Sequence, residues 1–222
     1  MEFTLSINEV RVLGSLIEKE VTTPEYYPLT LSALVNACNQ KSNRNPVLNL
    51  TPEDVEDAIE NLRKKQLVWR RNCAGARVSK YEHNFNVKWN MTDEEVAVMC
   101  TLLLRGSQTI GEIRGRSSRM HEFDSLDSVL KVLSQLQEKE DGSFITKLPR
   151  QPGCKDNRYM HLLSGETEFP VDLKNEEIYS TQQPTHSDYF SRIEELETKV
   201  NTLSNELHLL QSQFEQFKNA FE

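Results

Sequence analysis

Glycine is scarce in this 222-residue chain, and its eight glycines all stand alone. No Gly-rich loop is therefore available to cradle a phosphate with successive backbone N–H groups. Cysteine is equally sparse. Cys38, Cys73, Cys100 and Cys154 form no C-x-x-C pair, and no histidine stands at zinc-ligand spacing beside one. They read as free, reduced thiols serving as small hydrophobes, with no metal site. The five histidines, His83, His121, His161, His186 and His208, have no spaced carboxylate or nucleophile, and His121-Glu122 lacks the second histidine of a zinc helix. Nothing points to a cofactor, and the expectation is a protein without enzymatic activity. A long apolar run is missing too. The longest, Val96 to Leu104, is broken by Thr101 and is far short of the roughly 20 residues that span a bilayer. The acidic start, with Glu2 and Glu9, is unlike a signal peptide. These absences predict a soluble cytoplasmic protein with no membrane partner.

What is present begins with charge. The net charge of −8 is unevenly spread. Residues 1–90 hold 12 Lys and Arg against 11 Asp and Glu, and residues 91–165 hold 10 against 11. Residues 166–222 hold 4 against 12, so the acidity belongs to the tail.

Helix signals then recur in a fixed order. Ser6 with Glu9 is a capping box, followed by Val10, Leu13 and Ile17 on one face. Thr22-Thr23-Pro24 closes that helix, and Thr30 caps a second with Leu31, Leu34, Val35 and Cys38. Thr51, Pro52, Glu53 and Asp54 open a third, whose apolar stripe is Val55, Ala58, Ile59 and Leu62. Leu67 to Arg71, a Gly-containing loop, and Arg77 to Tyr81 read as a β-hairpin. The pattern repeats from Thr92 and Glu95 through Val96, Met99 and Leu103 to Gly106. A short helix from Thr109 follows, then a helix near Ser125 with Leu126, Val129, Leu130, Leu133 and Leu136, then a hairpin of Phe144–Leu148 and Arg158–Leu163. Three helices closed by a hairpin is the winged-helix order. The predicted fold is mainly α with small β-hairpins (α+β). It comprises one winged-helix domain over 1–90, another over 91–165, an acidic linker over 166–187 and a coiled-coil helix over 188–222.

The coil rests on a seam of Ile193, Leu196, Val200, Leu203, Leu207, Leu210, Phe214, Phe217 and Phe221, spaced alternately by three and four. A seam only two positions wide suits a partner helix better than a globular body, so a homodimer is expected.

Several stretches resemble the YceH family of bacterial proteins. These are Tyr27-Pro28-Leu29-Thr30 through Asn39-Gln40-Lys41-Ser42-Asn43-Arg44, Arg77-Val78-Ser79-Lys80-Tyr81-Glu82, Leu104-Arg105-Gly106-Ser107-Gln108-Thr109, and Pro152-Gly153 through Arg158-Tyr159-Met160-His161-Leu162. The resemblance covers nearly the whole chain and implies a tandem winged-helix fold, but supplies no catalytic or binding residues. Cys154 departs from it, where that family tends to be more basic beside Pro-Gly.

In winged-helix readers the third helix enters the major groove. Here its first half carries Glu53, Asp54, Glu56, Asp57 and Glu60, which would repel phosphate, and the later counterpart starts with Asp124 and Asp127. Base reading by these helices is not expected. Cations lie on the turns and wings instead: Lys41, Arg44, Arg70, Arg71, Arg77, Lys80, Arg150, Lys155 and Arg158. Such groups can grip duplex DNA by its phosphates. Arg105, Arg114, Arg116 and Arg119 form a further cluster, and Arg63, Lys64 and Lys65 suit a helix C-terminus. The leading expectation is a dimeric, transcription-regulator-like nucleic-acid-binding protein. The alternative is a protein-interaction module whose acidic third helices dock a basic protein, without direct DNA binding. A small-molecule-sensing regulator is a third reading, for which no residue marks a pocket.

Overall fold

Helix starts are where this sequence dictates structure most tightly. The computed structural model describes residues 4–71, 78–150 and 156–165. Within them α1 (Ile7–Thr22) opens on a reciprocal box, with Glu9 N–H donating to Ser6 Oγ and Ser6 N–H to Glu9 Oε2 at 2.6 Å. Thr30 caps α2 (Leu31–Cys38), and Thr51 with Asp54 boxes α3 (Pro52–Lys64). Thr92, Thr109 and Ser125 do the same for α5 (Asp93–Arg105), α6 (Ile110–Ser117) and α7 (Leu126–Gln137). Each cap satisfies N–H groups that a helix end leaves without partners.

Among the described residues six short strands form two antiparallel sheets. They are β1 (Leu29–Thr30), β2 (Val68–Arg71), β3 (Lys80–His83), β4 (Gln108–Thr109), β5 (Ile145–Lys147) and β6 (Arg158–His161). The strand orders are β1-β3-β2 and β4-β6-β5. The central strands repeat: Lys80-Tyr81-Glu82-His83 and Arg158-Tyr159-Met160-His161 each turn Tyr and His inward. Thr30 faces Lys80 as Thr109 faces Arg158. The repeat extends to an ion pair. Lys65, just past α3, bonds Glu9 of α1 at 2.7 Å, and Lys139, just past α7, bonds Glu95 of α5 at 2.9 Å. In each copy the N-terminal carboxylate of the first helix thus ties down the end of the third.

The α+β expectation holds, with local corrections. The second strand of the first hairpin is Lys80–His83 rather than Arg77–Tyr81, because Tyr81 and His83 are the side chains that reach the core. A one-turn helix α4 (Phe85–Lys88) follows it, unforeseen because one turn has no periodicity; Phe85 and Trp89 meet edge to face at 5.1 Å inside. In α7 the buried stripe is Val129, Val132, Leu133 and Leu136, while Leu126 and Leu130 are exposed. Leu130 lies about 100° round the helix from Val129 and so leaves the core side.

The largest departure from the amphipathic reading concerns α1 and α5, which are buried without a break over Glu9–Glu18 and Glu95–Leu104. Each covers the other. At Gly14 the α5 side chains come so close that a Cβ there would lie 2.9 Å from Leu104 Cδ2 and 3.2 Å from Leu103 Cβ. The two copies of the pattern therefore share one apolar core, running from Leu5 through Phe85 and Trp89 to Phe144 and Leu163. The linker 166–187 and the seam from Ile193 to Phe221 lie outside the described residues.

Candidate nucleic-acid interface

The first hairpin places β2 at a sheet edge with Trp69, Arg70 and Arg71 exposed. Arg70 Nε donates to Ser79 Oγ at 2.7 Å, and Arg71 Nε to Glu82 Oε1 at 2.7 Å across the hairpin. Both bonds are solvent-exposed and use one N–H of each guanidinium. Lys80, opposite Arg71 in the register, is half-buried. Lys41 is exposed on the turn after α2. In the second copy Arg150 is exposed, while Arg158 Nη1 donates to Ser107 O and Glu112 Oε2, each at 3.0 Å. Arg77 and Lys155 lie outside the described residues.

Arg44 must be removed from this surface. Its side chain is 0% exposed and forms a bidentate pair with Glu18, at 2.6 and 3.2 Å. It also donates to the carbonyls of Ala37 and Asn43. Sequence showed a cation on a polar turn; it could not show that the turn folds back over α1. Two cations at the end of α3 are likewise engaged, Arg63 with Glu60 and Lys65 with Glu9. Arg114 is committed to the carbonyls of Phe123 and Asp124.

The acidic half of α3 is solvent-facing at Glu53, Glu56, Asp57 and Glu60. Asp54 is different. Hydrogen bonds from the Thr51 backbone and side chain hold its carboxyl below the usual range, so its charge serves the cap. Two thiols, Cys38 and Cys100, are free and buried, and burial pushes Cys38 up to about 11. Among the described residues no group of three His, Cys, Asp or Glu could hold a metal, and no helix is long and apolar enough to cross a membrane.

His161, inward on β6, is buried with no partner on Nδ1 among the described residues. Burial pushes it down to about 4, so it is neutral in the fold. The unfolded chain takes up a proton near pH 6.5, where the native state does not. Stability is therefore lost as pH falls from about 6.5 to 4, by up to about 3 kcal/mol from this group. Urea midpoints at pH 7.5, 5.5 and 4.5 should fall more steeply for the wild type than for His161→Leu. Parallel losses in the two proteins would refute the neutral burial of this ring.

Similarity to known proteins is extensive. A family model described as a protein of unknown function, DUF480, matches residues 5–154. The chain is 44% identical over 214 residues to a UPF0502 protein of Enterobacter sp. (strain 638), covering 95% of this chain and 97% of that one. It is 42% identical, with the same coverage, to the UPF0502 protein YceH of Salmonella newport (strain SL254). A UPF0502 protein of Citrifermentans bemidjiense is 53% identical over 169 residues, covering 76% of this chain and 78% of that one.

Proposed function

Because the chain belongs to the UPF0502 (DUF480) family, whose description assigns no activity, its role must be read from its own surface, and we propose that it is a non-enzymatic, cytoplasmic protein that holds duplex nucleic acid by the phosphates. In this reading residues 1–90 and 91–165 are tandem winged-helix domains, and the seam of 188–222 joins two protomers as a coiled coil. The observation that carries it is the twofold recurrence of helix, strand, two helices and hairpin, with the same strand order in both sheets, ending in a hairpin edge that exposes Arg70 and Arg71. Phosphate contacts of this kind position a protein on a duplex without specifying sequence. The carboxylates of α3 support wing-first docking, since they would meet the backbone as like charges if that helix approached the groove.

Fluorescence anisotropy of a mixed-sequence duplex with the full chain tests this. Affinity should fall steeply with log salt. Arg70→Ala with Arg71→Ala should weaken binding and flatten the slope by up to about 2, at about 0.9 for each phosphate no longer neutralised. No binding at about 50 mM salt, where electrostatic attraction is near its strongest, would sink the reading.

One observation favours a second reading. Glu53, Glu56 and Asp57 are exposed and have no ion-pair partner among the described residues. They form a face suited to a basic protein, as in winged-helix pairs that act as interaction modules. Charge reversal at Glu56 and Asp57 separates the two: it would strengthen duplex binding in the first reading and abolish partner binding in the second.

A further inference from the structure

The turn Gln40–Arg44 of the first copy lies against the end of α5 in the second, pinned where Asn45 N–H donates to Leu104 O at 2.9 Å. Asn43 adopts a left-handed conformation there (φ 62°), which asparagine tolerates better than most residues. Its side-chain oxygen accepts from Arg105 Nη2. Between the turn, α1, α5 and α6 is a small open notch, whose polar wall includes Glu18, Thr22, Asn43, Arg105, Arg116 and Arg119.

Three guanidinium groups thus surround one small space, and the carboxylates nearby are already engaged. Glu18 is held bidentately by the buried Arg44. Glu112 is shared between Arg116 at 3.2 Å and Arg158 at 3.0 Å. Arg105 and Arg119 have no carboxylate within ion-pair distance among the described residues, and Arg119 has no hydrogen-bond partner among them either. Burial, then repulsion from Arg116 and, more weakly, Arg44, lower the affinity of Arg105 for its proton, and Glu18 offsets this only in part. Uncompensated cations in a half-buried concavity repel one another, and the planar forks of arginine match the oxygens of a tetrahedral anion.

We propose that the notch between Asn43, Arg105, Arg116 and Arg119 is a binding site for a phosphate-type oxyanion. Arg105 is oriented by Asn43 and Arg116 by Gln108, so both forks are set before the anion arrives. Arg119, exposed and without a bond to any of the described residues, can close on it. The site does not depend on the wings. The phosphate can belong to a nucleic-acid backbone or to a free phosphate group, and the two sources give different results in one experiment.

The full chain is titrated with inorganic phosphate, against chloride at matched ionic strength, by thermal melting and calorimetry. Phosphate should bind and raise the melting temperature, and Arg119→Glu should weaken binding at least about tenfold. Arg119→Lys should retain part of the affinity. Because Arg119 bonds to none of the described residues, Arg119→Lys should melt with the wild type in chloride, and Arg119→Glu, which sets a carboxylate beside Arg105 and Arg116, should melt no lower. A wild type indifferent to phosphate, or variants that bind it as the wild type does, overturns the proposal. A duplex that displaces phosphate and binds Arg119→Glu more weakly identifies a backbone phosphate; undiminished phosphate binding with duplex present identifies a free one. Phosphate binding without any duplex binding keeps the notch and rejects the nucleic-acid role. Duplex binding insensitive to Arg119→Glu, with no phosphate uptake, does the reverse.

Discussion

Arg44→Ala should destabilise the protein by about 3–5 kcal/mol, the range for removing one partner of a buried ion pair. The loss is large because the Arg44 side chain is wholly inaccessible and saturated, with two bonds to Glu18, two to Ala37 O and one to Asn43 O. Its removal leaves Glu18, 10% exposed, with only Lys19 at 3.9 Å as an ion-pair partner among the described residues. A domain of this size has only about 5–15 kcal/mol in total, so a substantial unfolded fraction is expected on mild warming. Urea unfolding of Arg44→Ala, Glu18→Gln and the double variant checks the assignment. The double change should cost clearly less than the sum of the singles, because each single strands the same partner. A cost below about 1 kcal/mol for Arg44→Ala would mean the pair is solvated and worth what surface pairs are worth.

Gly14→Val should cost about 2–4 kcal/mol, through a different mechanism. The tip of Leu104 can swing aside from a new Cβ, but Leu103 Cβ, 3.2 Å away, is fixed to the α5 backbone. A Cβ alone needs a shift of only a few tenths of an ångström there, but the two further methyls of valine have no room between the helices and force them apart, opening the core on both sides. Gly14→Ala is the control. Its gain of about 1 kcal/mol in helix propensity works against a milder clash, so it should fall near neutral. Chemical denaturation of the pair reads the difference, and Gly14→Val as stable as Gly14→Ala would show that the crossing is slack.

The sequence made one half of this architecture legible and concealed the other. Caps at Ser6, Thr30, Thr51, Thr92, Thr109 and Ser125 are local chemistry, set by a side chain and a backbone three residues on, and all six appear as expected. Burial on α1 and α5 was readable only as single stripes, because the second buried face of each is created by the other helix. Arg44 illustrates the same limit at the candidate site. A guanidinium on a polar turn reads as solvent-facing until the turn closes over Glu18, a residue 26 positions earlier. The cluster of Arg105, Arg116 and Arg119 was visible as charge, but its meeting with Asn43 spans 62 positions of sequence and has no local signature.

The glycine contact between α1 and α5 has a kinetic and geometric meaning for any partner that touches both copies. With one continuous core joining them, the two hairpins behave as the fixed teeth of a comb rather than as tethered beads. Engagement of one tooth brings the other to its place without a further search, giving the chelate advantage of a rigid linker. The same rigidity makes the comb intolerant of pitch: a partner whose two contact points lie at the wrong separation gains from only one tooth at a time.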